Sequence, residues 1–251
     1  MTMTSYNMLI APDFSPEHFA GWHLFNTLLQ KRAKLNMRLN MPASHAEQNE
    51  LIDQGDIQII YANPFDAAAL IREQGYRAIA RPIAKPDEMV IVTSQSSDIE
   101  QLEDLKAGAT IAMTNNRDVK LIGLRLLEAV DLTEDDLNWV ITETYQAAAR
   151  QVMKGEAAAA FFLSETYHNF SRLTKSQLQV LIESDIADIS HVLLVKEDCP
   201  DAQLLTEVLL SLGQDADSKE ALSELGMPEG FEAMGEEDAE FMLDLMETLL
   251  S

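Results

Sequence analysis

The chain is nearly without cysteine: Cys199, in "KEDCPDA", is the only one. A single thiol excludes an intrachain disulfide and a zinc site built on thiolates. Its neighbours, Asp198 and Pro200, do nothing to activate it as a nucleophile. Basic residues are also scarce. There are 18 Lys and Arg against 42 Asp and Glu, a formal net charge of -24. That field repels phosphate backbones and anionic headgroups, so nucleic acid is excluded as a partner and solubility is favoured. No apolar run approaches the roughly 18 residues of a membrane span, which excludes direct membrane insertion. The opening "MTMTSYNMLIAPDF" has neither a basic n-region nor a long apolar h-region. The expected location is therefore cytoplasmic as the sequence is written, or periplasmic if a signal peptide has been cleaved.

Catalytic and cofactor signatures are missing too. There is no G-x-S-x-G, no G-x-G-x-x-G and no Walker loop. His18 and His23 are five apart, not the four that put two metal ligands on one helix face. No metal and no cofactor is expected. Enzyme chemistry would need an acid or base, and the candidates are His45, Glu143, Glu165 and His191.

What the sequence does have is rhythm. "YNMLIA", "LNMRLNM" and "IQIIYA" read as strands. Between and after them, "SPEHFAGWHLFNTLLQKR", "SHAEQNELIDQG" and "PFDAAALIREQG" read as amphipathic helices. Pro16 and Pro64 lie just inside helix starts, Ser44 is a cap candidate, and Gly55 and Gly75 are stops. The alternation predicts parallel sheet with helices on both faces. It then repeats. "MVIVTS", "ATIAMT", "LNWVITET" and "AAAAFFL" are strands, and "IEQLEDLKAG", "RDVKLIGLRLLEAV", "YQAAARQVMKG" and "SETYHNFSRL" are helices. Two further strands, "LQVLIES" and "ISHVLLVKE", precede a helical tail. The βα units fall into two sets, about 1–88 and 95–185, which suggests two similar lobes rather than one barrel, although the rhythm alone also fits an eight-fold barrel. In the tail, Phe241, Met242, Leu245, Met246 and Leu249 share one helical face, suited to packing on the first lobe or to docking a partner.

The junction "IQIIYANPFDAAALI" stands out. Ligands of open parallel sheets sit outside the carboxyl ends of strands, where helix N-termini point free N–H groups. Tyr61, Asn63 and Phe65 lie at such a point. Tyr61 can stack on a ligand or donate to it, and Asn63 can donate, accept or cap the helix. Core packing is the alternative for Tyr61 and Phe65.

The order of segments resembles the class II periplasmic-type substrate-binding proteins, in their phosphate, phosphite and phosphonate branch. The resemblance rests on "GDIQIIYANPFDAAALI", "MVIVTSQSSDIEQLEDLKAGATIAMTNN", "VITETYQAAARQVMKGEAAAAFF" and "SKEALSELGMPEGFEAMGEEDAEFM", and it covers nearly the whole chain. It implies an α/β fold of two Rossmann-like lobes joined by two crossover strands, "MVIVTS" and "SHVLLVKE". Residues 1–92 with 191–251 would form lobe 1, and 93–190 lobe 2. A ligand would sit in the cleft, with hinge closure around it. In lobe 1, Asp13, Phe14 and Ser15 after the first strand, and Ser44 and His45 after the second, match pocket loops. In lobe 2, "TNNRDV" stands where the family has a Ser-Thr-Ser-Gly type turn. Thr114, Asn115 and Asn116 can still donate, and Arg117 can add a charge-assisted contact. Tyr145 replaces a family His. Ala157 to Ala160 stand where the family has an acidic recogniser of an amino group, which argues for an oxyanion other than 2-aminoethylphosphonate. The expected function is a small-molecule, phosphate- or phosphonate-like binding protein. It would serve as a solute receptor with a membrane transporter, or as a cytoplasmic sensor with a signalling protein. The alternatives are an enzyme on the same fold and an interaction protein with a degenerate cleft.

Overall fold

The computed structural model describes residues 5–14, 18–186 and 189–250, with the side chains of 249 and 250 excepted. Ser15, Pro16 and the Leu249 side chain lie outside the described residues. The chain divides into two compact units, Met1–Pro86 with Asp188–Glu247, and Asp87–Ala187 with Thr248–Ser251.

The first unit opens with β1 (Ser5–Ile10), α1 (Phe19–Ala33), β2 (Asn36–Asn40), α2 (His45–Asp53), β3 (Ile59–Ala62), α3 (Pro64–Glu73) and β4 (Tyr76–Pro82). The second contains β5 (Met89–Ser94), β6 (Thr110–Thr114), α4 (Arg117–Leu127), β7 (Asn138–Thr142), α5 (Tyr145–Met153), β8 (Ala159–Leu163), α6 (Ser164–Asn169), α7 (Arg172–Lys175) and β9 (Leu178–Glu183). The chain then returns to the first unit with β10 (Val192–Lys196), α8 (Ala202–Ser211), α9 (Ala216–Ser223), β11 (Phe231–Ala233) and α10 (Glu236–Leu250).

Each unit is built on one sheet. The first has the order β11-β4-β10-β3-β1-β2 and the second β7-β6-β8-β5-β9. Three neighbouring strands in each are parallel, β2-β1-β3 and β7-β6-β8. The others run antiparallel, so both sheets are mixed, not parallel throughout as the βα rhythm predicts. β10 is inserted between β3 and β4, and β5 between β8 and β9. Both are apolar runs buried on both faces. Because β5 pairs wholly within the second sheet, the first boundary falls after Pro86, not at residue 92.

Each sheet separates two layers of core. In the first unit Met8, Trp22, Phe25, Tyr61 and Leu205 pack on one face, and Leu9, Ile60, Leu70 and Met242 on the other. In the second, Ile91, Ile111, Ile122 and Phe161 oppose Val92, Ala148, Val152 and Phe162. Four elements depart from expectation. β4 and β11 are strands that the apolar pattern did not reveal. "IEQLEDLKAG" forms only a 3-10 turn at Leu102–Asp104. On α10, Met242, Leu243 and Met246 are buried while Phe241 is exposed, so the buried stripe is rotated from the expected face.

Candidate functional site

β1, β2 and β3 are parallel, so their carboxyl ends share one edge of the first sheet. β10 runs the other way, and pairing of Val192 with Ala62 brings the residue before it, His191, to that same edge. Four connections therefore converge there. They carry Asp13 and Phe14 after β1, His45 at the start of α2, Asn63 and Asp66 at the start of α3, and His191.

Their side chains form one buried polar network. The Asp13 carboxylate is 7% exposed. Its Oδ1 lies 3.2 Å from His45 Nε2, and its Oδ2 lies 3.5 Å from His191 Nε2. Asn63 Nδ2 donates to Asp13 Oδ2 at 3.0 Å and to Asp66 Oδ2 at 3.0 Å. His45 Nδ1 lies 3.5 Å from Asp66 Oδ2, which also accepts from Gln48 Nε2 at 2.6 Å. His45 thus bridges two carboxylates, one on each ring nitrogen. Hydrogen bonding to Asp13, then to Asp66, pushes its pKa from 6.5 up to about 10, against the effect of burial. Burial opposes the charge on Asp13, yet hydrogen bonds from His191 and His45 hold its carboxyl well below the usual range. Burial likewise opposes the charge on Asp66, and bonds from His45 and Gln48 hold it low.

Capping explains two of the expected site residues. Ser44 Oγ accepts from Glu47 N at 3.3 Å while Glu47 Oε2 accepts from Ala43 N at 2.7 Å, a reciprocal cap. Asn63 Oδ1 accepts from Asp66 N at 2.8 Å, so it caps α3 with its carbonyl and ties the network together with its amide. Tyr61 is fully buried, as is nearly all of Phe65. The Tyr61 ring lies against Phe14 (5.7 Å between centroids), His191 (5.3 Å) and Trp22 (4.9 Å). It therefore backs the site, and Phe14, only partly buried, is the ring nearer the surface. Asp66 and Gln48 were not flagged from the sequence. The available signal was an acidic residue three positions after an Asn-Pro cap, a pattern that serves helix ends generally.

The second unit repeats the arrangement. β6 and β7 pair in parallel from Thr110↔Asn138 to Thr114↔Thr142, so α4 and α5 begin side by side at one sheet edge. Asn116 caps α4, its Oδ1 accepting from Val119 N at 3.1 Å. Thr144 caps α5, accepting from Ala147 N at 3.1 Å. Asn116 Nδ2 donates to the Tyr145 hydroxyl at 3.4 Å, which links the two helix starts. Thr114 is half-buried, and Asn115 and Arg117 are exposed. Asp118 is buried in the first turn of α4. At the end of neighbouring β8, the Ser164 hydroxyl is buried without a hydrogen-bond partner, a donor not anticipated from the sequence. Of the acid and base candidates, Glu143 and Glu165 are exposed in this unit, whereas His45 and His191 share Asp13 in the other.

Among the described residues no cluster of three or more His, Cys, Asp or Glu is placed to hold a metal ion. Among the same residues no helix is long and apolar enough to cross a membrane.

Residues 8–239 match the sequence profile of the family described as "ABC transporter, phosphonate, periplasmic substrate-binding protein". The chain belongs to that family. Phosphonate-binding proteins of this kind bind small molecules and work with ABC transporter permeases, and the family is one of receptors, not catalysts. No curated protein matches the chain in sequence. Solved structures share its fold at low identity. XAC2383 from Xanthomonas citri bound to ATP superposes with a TM-score of 0.81 at 12% identity, covering 98% of both chains. PhnD1 from Prochlorococcus marinus in complex with methylphosphonate gives 0.79 at 14% identity, also covering 98% of both. The periplasmic aliphatic sulphonate binding protein SsuA from Escherichia coli gives 0.70 at 16%, covering 99% of this chain and 92% of its own. The two-unit architecture expected from the sequence is therefore the fold of phosphonate and sulfonate binding proteins.

Proposed function

We propose that the chain is a solute receptor for a small organic oxyanion of phosphonate or sulfonate type, and that it acts by binding alone. The observation that carries this reading is the pair of adjacent helix starts in the second unit, tied together by Asn116 and Tyr145. Two N-termini side by side direct backbone N–H groups and partial positive charge at one place. Thr114 and Asn115 add neutral donors there, and Arg117 adds a full positive charge. The first unit supplies a different surface. Phe14 offers an aromatic face backed by Tyr61, and the donors of His45 are already directed at Asp13 and Asp66. The occupied nitrogens of His45 also support binding over catalysis, since a general base needs a free one. Asp13, Ser44, His45, Tyr61 and Asn63 then act chiefly by shaping the first-unit surface, and Thr114, Asn115, Asn116, Arg117 and Tyr145 by touching the anion. The family relationship favours a transporter permease as partner.

The test is calorimetric titration with methylphosphonate, ethanesulfonate, phosphate, phosphite and sulfate. Saturable binding of an alkylphosphonate or alkylsulfonate, weakened about tenfold by Arg117→Ala, is expected for one charge-assisted contact. Arg117→Ala without effect on a ligand that binds removes Arg117 from the site. Failure of every oxyanion to bind overturns the reading.

A further inference from the structure

The second sheet ends on β7, and the outer edge of that strand is open. Asn138 N donates to Ala109 O at 2.9 Å, and β7 keeps register with β6 from Thr110↔Asn138 to Thr114↔Thr142. Backbone groups alternate in direction along a strand, so Asn138, Val140 and Thr142 turn toward β6, and Trp139 and Ile141 turn outward. Among the described residues no strand lies on that outer side. Two N–H and two C=O groups therefore stand along the edge.

Open edges invite pairing with another chain, and proteins protect them with side chains, bulges or brevity. The other edge strands of this chain are protected. β2 is the counterpart of β7, since β2-β1-β3 and β7-β6-β8 share order and direction. There α1 covers the edge: Met37 N donates to Gln30 Oε1 at 3.1 Å, and Met37 O accepts from Asn26 Nδ2 at 3.3 Å. β9 is interrupted by a register shift opposite Ile91 and Val92, and β11 has only three residues. β7 has five residues in unbroken register and neither proline nor lysine. Its Ile141 is 54% exposed, on the sheet face where Trp139 packs against Phe161.

We propose that β7 is a docking edge for an extended segment of a partner protein, apolar at alternate positions and basic at both ends. The segment adds a strand to the sheet by pairing with Trp139 and Ile141, and one of its apolar side chains covers Ile141. Charge selects the basic ends. Glu134, Asp135 and Asp136 lead into β7 and Glu143 follows it. Lys120 pairs with Glu134, and among the described residues no basic side chain pairs with the other three. A second copy of this chain, paired antiparallel, would bring its own acidic turn close to Glu143, and like charges disfavour that. None of the residues assigned to the oxyanion takes part, so the inference stands or falls separately from the receptor reading.

The experiment is amide hydrogen exchange of the full chain, followed residue by residue by NMR at about 0.15 M salt, which screens the protein's general attraction for cations. The probe is the capped peptide KRVTVTVRK. The controls are EEVTVTVEE and a form of KRVTVTVRK with its central residues N-methylated, which keeps the charge and cannot pair. Peptide at ten times its dissociation constant should slow exchange at Trp139 and Ile141 about tenfold, and neither control should slow it. Ile141→Lys, at a mostly exposed side chain, sets a repelling charge on the edge and should abolish the protection. Glu143→Lys should weaken binding about fivefold, the upper size of one exposed charge contact. Slow exchange at both amides without peptide, no protection by the probe, equal protection by either control, or protection indifferent to Ile141→Lys overturns the proposal. A dimer of the free chain in sedimentation, dissolved by Ile141→Lys, also overturns it and makes a second copy the occupant.

Discussion

Asp13 Oδ1 lies 3.2 Å from His45 Nε2, joining the end of the first strand to the start of the second helix by an ion pair whose carboxylate is buried. The same carboxylate faces His191 and accepts from Asn63. Asp13→Ala would strip all three of their shared partner. Removing one member of a buried charge pair typically costs about 3–5 kcal/mol, because the other charge stays buried. Urea unfolding should show a loss near the lower end, since His45 is partly exposed. A loss equal to that of an ordinary surface substitution would mean that water replaces the carboxylate freely.

The same pair sets a pH dependence. The folded pKa of His45, about 10, lies above its ordinary 6.5. Its contribution is therefore complete below about pH 6.5 and is lost as pH rises through about 10. Asp13 and Asp66 are held below the usual carboxylate range, so their contributions are present above about pH 4 and are lost on acidification. Thermal stability of the first unit should thus be greatest between about pH 4 and 6.5 and decline toward pH 10. In His45→Gln the alkaline decline should flatten. Parallel alkaline limbs for the two proteins would show that His45 does not hold its proton.

Asn63 and Ser44 both cap helices, but only Asn63 also holds carboxylates. Asn63→Ala should cost about 2 kcal/mol, a cap plus buried hydrogen bonds, and Ser44→Ala about 1 kcal/mol or less. Denaturant midpoints of the two variants measure the difference. Equal losses would reduce Asn63 to a cap.

Gly123 marks close packing inside the second unit. A Cβ there would stand 2.3 Å from Phe161 Cε2 and 2.5 Å from Cδ2, with the ring fully buried. Overpacking of this kind costs about 1–3 kcal/mol, which outweighs the gain of about 1 kcal/mol from replacing a helical glycine. Gly123→Ala should therefore be destabilised in chemical unfolding. A neutral or stabilised variant would show that the ring can turn aside.

The sequence disclosed most elements because their apolar runs are long and their caps conventional, as at Ser44 and Asn63. β4 escaped because "YRAIARP" mixes arginines and alanines with few strand-favouring residues. It is a strand because β10 and β11 pair with it on both sides. The "IEQLEDLKAG" stretch carries a helix-start pattern, and Asp104 does accept from Gln101 N at 3.1 Å, yet burial of Leu102 and Leu105 pins it as a single 3-10 turn. At the site, Asp13, His45 and Asn63 are legible as residues that follow strands, and the parallel pairing of β1, β2 and β3 brings all three to one sheet edge. What no local pattern reveals is partnership over long separations. Asp13 meets His191 only because β10 returns to lie beside β3.

That return also orders events during synthesis. The strand that fills the middle of the first sheet is translated after residues 87–187, the bulk of the second unit. Until residues 192–196 emerge, β3 and β4 have no strand to join them, and their facing edges stay open to other pairings. The second unit, nearly contiguous in sequence, has all its strands in hand by residue 183 and can close first. The first half of the chain is thus made earliest and completed last, and it is in this interval that a nascent molecule is most exposed to misassembly.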